Sequence, residues 1–275
     1  MASGCGIQRL RQVQNLFFDL VPNLPHGVKA LADGARDWIA ANIATGDLHE
    51  GRFMLHLGGA GLSGVSVIGL FGGARVEGAT VTYLEGLPAA TEASGTVQVG
   101  LDAVTIAVDG GGVGEVRIRE GTVALTALDT DSERGDMLFE IDTPLSDALA
   151  LIDHQPLGYA SRLGVDPGVA RGDARVTLTL GLPLREDVDL EELEVGVTAD
   201  ATGVGLPDVT LGQDLSDGDL SLTLDGAGMD VSGTARLGDV PITLEWRENF
   251  TDGAAFDRRY HVRGRLDNAA RARFR

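Results

Sequence analysis

Cysteine, lysine and aromatic residues are all scarce in this chain, and each scarcity closes off a class of explanation. Cys5 is the only cysteine among 275 residues, so no intrachain disulfide can form and the compartment cannot be read from bridges. Ala2-Ser3-Gly4-Cys5 ends like a bacterial lipoprotein cleavage site, but only four residues precede the cysteine, too few for a basic and then apolar leader. Lys29 is the only lysine, and aromatics make up 5% of the chain. Positive charge is short overall, with 22 basic against 41 acidic residues and a net charge of −19. A nucleic-acid backbone is therefore repelled, and anionic membrane surfaces are disfavoured by the same field. Long apolar runs are also missing. The longest uncharged run, Leu57 to Ala74, has 18 residues, about the minimum for a membrane span. Seven of these are glycine and two are serine, a composition that suits strand and turn, so no transmembrane helix is expected in the chain.

Catalytic and metal-binding patterns are lacking as well. His26, His49, His56, His154 and His261 are scattered without metal-ligand spacing, and no Gly-x-Ser-x-Gly elbow occurs. Gly59-x-Gly61-x-x-Gly64, with Glu77 downstream, formally matches a dinucleotide-binding fingerprint. That fingerprint needs a helix to open at the glycines, whereas β-branched Val65, Val67 and Ile68 follow, and Gly69, Gly72 and Gly73 leave no room for a crossover helix. The acidic run Glu186, Asp187, Asp189, Glu191, Glu192 and Glu194 lacks the spacing of a calcium loop and fits a solvated strand face. No enzyme, cofactor or metal is expected.

What the chain does have is two-residue alternation, clearest between residues 172 and 247. Val176, Leu178 and Leu180 alternate with Arg175, Thr177 and Thr179. Leu193, Val195, Val197 and Ala199 alternate with Glu192, Glu194, Thr198 and Asp200. Leu220, Leu222 and Leu224 flank Ser221 and Thr223, and Ile242, Leu244 and Trp246 flank Thr243 and Glu245. Period two means strands with one apolar and one polar face. An antiparallel sheet tolerates that asymmetry, whereas a doubly covered parallel sheet does not show it. The candidate binding face is Val176, Leu178, Leu180, Val195, Val197, Leu220, Leu222, Leu224, Ile242, Leu244 and Trp246.

Five segments are expected. Residues 1–46 form a helical segment, with Ile7, Leu10, Val13 and Phe17, and then Val28, Leu31, Ala35, Trp38 and Ile39, at helical spacing. Residues 47–141 form a first β segment of eight short strands separated by glycine-rich turns: 52–57, 65–71, 79–84, 97–99, 104–108, 116–118, 123–128 and 137–141. Residues 142–168 form a helical insertion, N-capped by Thr143 with Pro144 at the first helical position, burying Leu145, Leu149 and Ile152. Residues 169–267 form a second β segment and 268–275 a basic tail. Gly86-Leu87-Pro88 and Gly205-Leu206-Pro207 are a weak internal echo between the two β segments.

Several stretches carry a family resemblance through their order: Gly34-Ala35-Arg36-Asp37-Trp38-Ile39, Thr82-Tyr83-Leu84-Glu85-Gly86-Leu87-Pro88, Pro156-Leu157-Gly158-Tyr159, Leu163-Gly164-Val165-Asp166-Pro167, Leu215-Ser216-Asp217-Gly218, Gly228-Met229-Asp230-Val231-Ser232-Gly233-Thr234 and Leu244-Glu245-Trp246-Arg247-Glu248. Together, over roughly residues 25–270, the chain resembles the central region of the AsmA-like, YhdP-like bacterial envelope proteins. The resemblance implies a periplasmic protein with an inner-membrane anchor, and a long antiparallel sheet curled into a groove that shelters lipid acyl chains. It also implies phospholipid transport between the inner and outer membranes, hence outer-membrane biogenesis, with phospholipid acyl chains and other envelope proteins as the expected partners. The chain is shorter than such proteins and lacks their anchor, so it is expected to be a piece of one.

From the residues alone, alternating strands fit either a closed sandwich or an open trough, and the sandwich is the commoner use of such a pattern. The resemblance implies the trough, a mainly β, elongated and curled sheet. A dozen strands at about 4.8 Å each would make it about 55–60 Å long. Three classes follow: a non-enzymatic lipid-binding groove segment, a closed sandwich that scaffolds an envelope assembly without a ligand, and, resting on the glycine match alone, a nucleotide-dependent enzyme.

Overall fold

The computed structural model describes residues 43–59, 66–83, 86–128, 130, 132–155, 157–184, 192–210, 212–251 and 253–265. The two expected N-terminal helices, the basic tail and most of the acidic run from Glu186 lie outside them. In chain order the described elements are β1 (Ile43–Gly58), β2 (Ser66–Val81), β3 (Ala90–Val99), β4 (Val104–Val113), β5 (Val116–Thr126), β6 (Arg134–Pro144), α1 (Leu145–Asp153), α2 (Tyr159–Leu163) and a 3-10 turn (Pro167–Val169). Six more strands follow: β7 (Arg171–Pro183), β8 (Glu194–Thr210), β9 (Gln213–Asp225), β10 (Gly228–Leu237), β11 (Val240–Asn249) and β12 (Arg258–Gly264). All twelve belong to one sheet in which every strand lies beside its neighbours in sequence, from β1 at one edge to β12 at the other. The fold is thus mainly antiparallel β, a single sheet not closed into a barrel, with few helices.

Short connections enforce this order. Two-residue turns at Gly226-Ala227 and Gly238-Asp239 close the β9–β10 and β10–β11 hairpins. At the first, the Asp225 carboxylate accepts the backbone N–H groups of Ala227 at 2.8 Å and Gly228 at 3.1 Å. The chain divides into two compact units. By its described residues the first takes in β1–β4, most of β5, the start of β6 and the end of β7. The second holds the rest of β6 and β7, the helical insertion and β8–β12.

In the first β segment the strands are fewer and longer than the glycines predict. The expected strands 65–71 and 79–84 are one strand, β2, and 116–118 and 123–128 are one strand, β5. Gly72 and Gly73 are strand residues, not a turn. The Phe53 ring on β1 lies over Gly72, where an added Cβ would meet it at 2.0 Å, and a Cβ on Gly73 would meet the Val97 carbonyl at 2.8 Å. These glycines make room for a ring and a neighbouring backbone. The antiparallel pairing of β2 with β1 also leaves no helix after the glycine match at residues 59–64.

The helical insertion is where it was expected, but its cap differs. Pro144 occupies the N-cap position of α1 and no side chain caps the helix; the Thr143 hydroxyl donates to the Pro144 carbonyl at 3.0 Å instead. Leu145 and Leu149 are half-buried while Ile152 is exposed. Asp153 ties the two helices together, accepting the Ser161 N–H at 2.7 Å and hydroxyl at 2.6 Å, which holds its carboxyl below the ordinary aspartate range.

Candidate functional site

Residues directly opposite one another in an antiparallel pair share a face, so register alone assembles the apolar surface of β8–β12. One row runs Val197, Leu224, Met229, Glu248, Arg258. The next runs Ala199, Leu222, Val231, Trp246, Tyr260, and the third Ala201, Leu220, Gly233, Leu244, Val262. The opposite face reads Thr198, Thr223, Asp230, Arg247, Arg259, and then Asp200, Ser221, Ser232, Glu245, His261. Polar side chains there pair along the rows: Ser221 donates to Asp200 at 2.7 Å, His261 lies 3.5 Å from Glu245, and Arg247 binds Asp230.

Beyond the third row the pattern changes parity on two strands. A register shift between Ala201 and Val204 contains Gly203, at φ 63°, and one opposite Thr234–Arg236 contains Asp217, at φ 48°. Each bulge absorbs an extra residue and keeps apolar side chains on the same face. Val204, Ala235 and Ile242 therefore continue it as a fourth apolar row, and Leu206, Leu215, Leu237 and Val240 as a fifth. This end is closed. Val204, Leu215, Ala235, Val240 and Ile242 form a buried cluster, with Leu145 of α1 packed against it.

The sequence-derived binding residues divide accordingly. Ile242 is buried in the cluster and Leu220 packs on its margin. Val195, Val197, Leu222, Leu224, Leu244 and Trp246 are half-buried on the open part of the face. On β7, Thr177 donates to Glu140 at 3.1 Å and Thr179 to the Gly196 carbonyl at 3.2 Å on the polar side. Val176, Leu178 and Leu180 alternate with them and are half-buried. Met229 and Val231 on β10 and Tyr260 and Val262 on β12 also belong to the face and were not singled out from sequence. On β10 the glycine and alanine at 233 and 235 weaken the alternation, and on β12 only two apolar residues stand among Arg258, Arg259, His261 and Arg263.

Among the described residues of the face, Val204, Leu215, Met229, Val231, Val240 and Ile242 are buried, while the remaining large apolar side chains keep part of their surface in water, unlike the leucines and valines of a sandwich core. Tyr260 and Val262 are 53% and 49% exposed. One polar boundary interrupts the face. Glu248, only 12% exposed, is gripped by Arg258 at 2.6 Å and accepts the Trp246 indole N–H at 2.8 Å. The Arg258 hydrogen bonds, reinforced by the indole, hold its carboxyl below the ordinary glutamate range. The Trp246 and Tyr260 rings stand 5.4 Å apart beside it.

Nothing in this arrangement resembles a reaction centre. Among the described residues no three His, Cys, Asp or Glu side chains come together as metal ligands. A shallow concavity of about 310 Å³ on the polar face is lined by Thr177, Thr179, Thr198, Thr223, Asp230 and Arg247, and it pairs no nucleophile with a base. No described helix is long and apolar enough to cross a membrane. Comparison of the chain with family models, with curated proteins and with solved structures finds no match.

Proposed function

We propose that this protein is a non-enzymatic lipid-binding segment whose open apolar sheet face shelters phospholipid acyl chains, as in the central region of an AsmA-like protein of the periplasm. The observation that carries the reading is the second and third rows of β8–β12, apolar from Ala199 and Ala201 to Tyr260 and Val262 and partly open to water apart from the buried Val231. No second sheet covers them among the described residues. Covering such a surface is favourable by about 25 cal/mol per Å². The rows offer an occupant almost no directional hydrogen bonds, since the Trp246 indole is already committed to Glu248. A ligand held there is recognised by length and fluidity rather than by functional groups, which is the chemistry of a hydrocarbon tail. Transport between membranes, and engagement of other envelope proteins, belong to the same proposal.

Native mass spectrometry of the purified chain tests it. Phospholipid adducts that extract into organic solvent are expected. An empty, stable monomer would overturn the reading in favour of a scaffold, and a retained nucleotide in favour of a nucleotide-dependent enzyme.

A further inference from the structure

The first hairpin departs from the rule of one apolar and one polar face. Its register pairs Phe53 with Gly72 and Leu55 with Leu70 on one side, and Met54 with Phe71 and His56 with Gly69 on the other, so both sides are apolar. Side chains on both are open to water: Phe53, Met54, Leu55 and Phe71 are all exposed, and Leu57 and Ile68 are 57% and 65% exposed. The hairpin also outruns the sheet. β3 ends at Val99, opposite Gly72, so Met54–Leu57 and Val67–Phe71 pair with each other and with no other strand among the described residues. From Met54 to Gly58 the protruding ribbon is about 14 Å long at about 3.4 Å per residue. Rings hold it together, with Phe53 over Gly72 and His56 edge-on to Phe71 at 5.9 Å.

Its charge is also exceptional. Between Glu50 and Glu77 there is no carboxylate, the longest acid-free stretch of a chain with net charge −19, and Arg52, His56 and Arg75 lie within it. Arg75, at the base, is held at 3.0 Å by both Glu77 and Asp109. The protruding part carries no carboxylate and Arg52 stands at its base, so locally an anionic surface does not repel it.

We propose that the β1–β2 ribbon is a membrane-surface contact that places Met54, Leu57, Ile68 and Phe71 at the headgroup boundary of an anionic bilayer. Its two edges pair with no further strand among the described residues, which disfavours deep insertion, because a sheet edge is not tolerated in hydrocarbon. The ribbon therefore lies about 5–10 Å into the interface, with Arg52 at headgroup level. This contact stands apart from the groove reading, since a scaffold could use it equally well.

Flotation of the purified chain with vesicles of phosphatidylethanolamine and phosphatidylglycerol tests the contact, with phosphatidylcholine vesicles as the neutral comparison. The chain is expected to float with the anionic vesicles and more weakly with the neutral ones. Ile68→Glu and Phe71→Glu, at exposed positions, should each lower the affinity about tenfold with an unchanged circular dichroism spectrum, while Thr223→Glu on β9 leaves it intact. Absence of flotation, or flotation indifferent to both ribbon variants, overturns the proposal. So does a dimer in analytical ultracentrifugation that Ile68→Glu dissolves while vesicles stay bare, which would make a second copy the occupant. Equal binding to neutral vesicles overturns the role of charge. Leu222→Glu, in the candidate groove, should still float, so the two readings fail separately.

Discussion

The ribbon of β1 and β2 and the β8–β12 region are built from the same kind of strand and put to opposite uses. In β8–β12 strict alternation gathers apolar residues on one side, and threonine, serine and charged residues occupy the other. One end of that apolar side is sealed by the cluster around Val204 and Ile242. In the ribbon alternation is lost, glycine replaces the polar residues, and both sides are left open. The difference teaches that where polar residues sit decides what a strand can do. Placed at every second position they create a face; withheld altogether they create a surface with no inside.

The largest test of this contrast is a charge at the sealed end. Val204 is 2% exposed within the cluster, so Val204→Asp strands an unpaired carboxylate at a cost of several kcal/mol. Loss of the cooperative melting transition in circular dichroism is expected, and an unchanged transition would mean that this end is as open as the ribbon. Next comes Gly233→Val in the third row. A Cβ there would lie 2.1 Å from the Asp219 carbonyl oxygen, and the forced separation of β9 from β10 should cost about 1–3 kcal/mol in urea unfolding.

A smaller stability effect is expected on the open part of the same face. Leu222 is half-buried, so Leu222→Glu can keep its carboxylate in water, and the fold should survive with a melting temperature lowered by a few degrees, about 1 kcal/mol. Lipid recovered in native mass spectra should nevertheless fall, while Thr223→Glu, one residue along on the polar side, changes neither. If Leu222→Glu unfolds the protein as Val204→Asp does, the face is a closed core and the contrast within it disappears.

The smallest effect is a pH dependence. The Glu248 carboxyl titrates lower in the folded state than unfolded because of Arg258, so its contribution is fully present above the ordinary glutamate value of 4.5 and is lost as pH falls through the lower folded value. Melting temperatures of the protein and of Glu248→Gln, compared between neutral pH and about pH 3, should converge toward the acid end. Parallel curves would show that the Glu248–Arg258 pair is electrostatically idle.

Much of the β8–β11 region was legible in sequence, because strands at Val195–Ala199, Leu220–Leu224 and Ile242–Trp246 announce themselves by period. The bulges were not. Glu50, Gly78, Glu92, Gly203, Asp208 and Asp217 all take positive φ and all lie at register shifts. Four of the six, Gly78, Gly203, Asp208 and Asp217, are of residue types that also mark turns, so period two breaks at them just where the strand continues. The same ambiguity split β2 at Gly72-Gly73, and only the ring of Phe53 distinguishes that site from a loop. Gly86-Leu87-Pro88 lies between β2 and β3 whereas Gly205-Leu206-Pro207 lies inside β8, so the apparent echo marks no equivalent places. The strands of the ribbon were expected at 52–57 and 65–71, but a glycine-rich uncharged run does not reveal that both sides of the ribbon are apolar. Its meaning depends on β3 stopping at Val99, a long-range fact.

The strictly sequential strand order has one more consequence. When each strand meets only the strands before and after it, native contacts are close in the chain, and the entropy lost in forming each new pair is that of one connection, short except for the helical insertion between β6 and β7. Such a sheet behaves as a nearly one-dimensional array, in which stability is a sum of neighbouring pairings and a perturbation decays along the series. Growth is equally local. A hairpin inserted at a turn such as Gly226-Ala227 separates β9 from β10 but leaves every other partnership and the sidedness of every residue intact, so the length of the array can drift by whole hairpins while its chemistry stays the same.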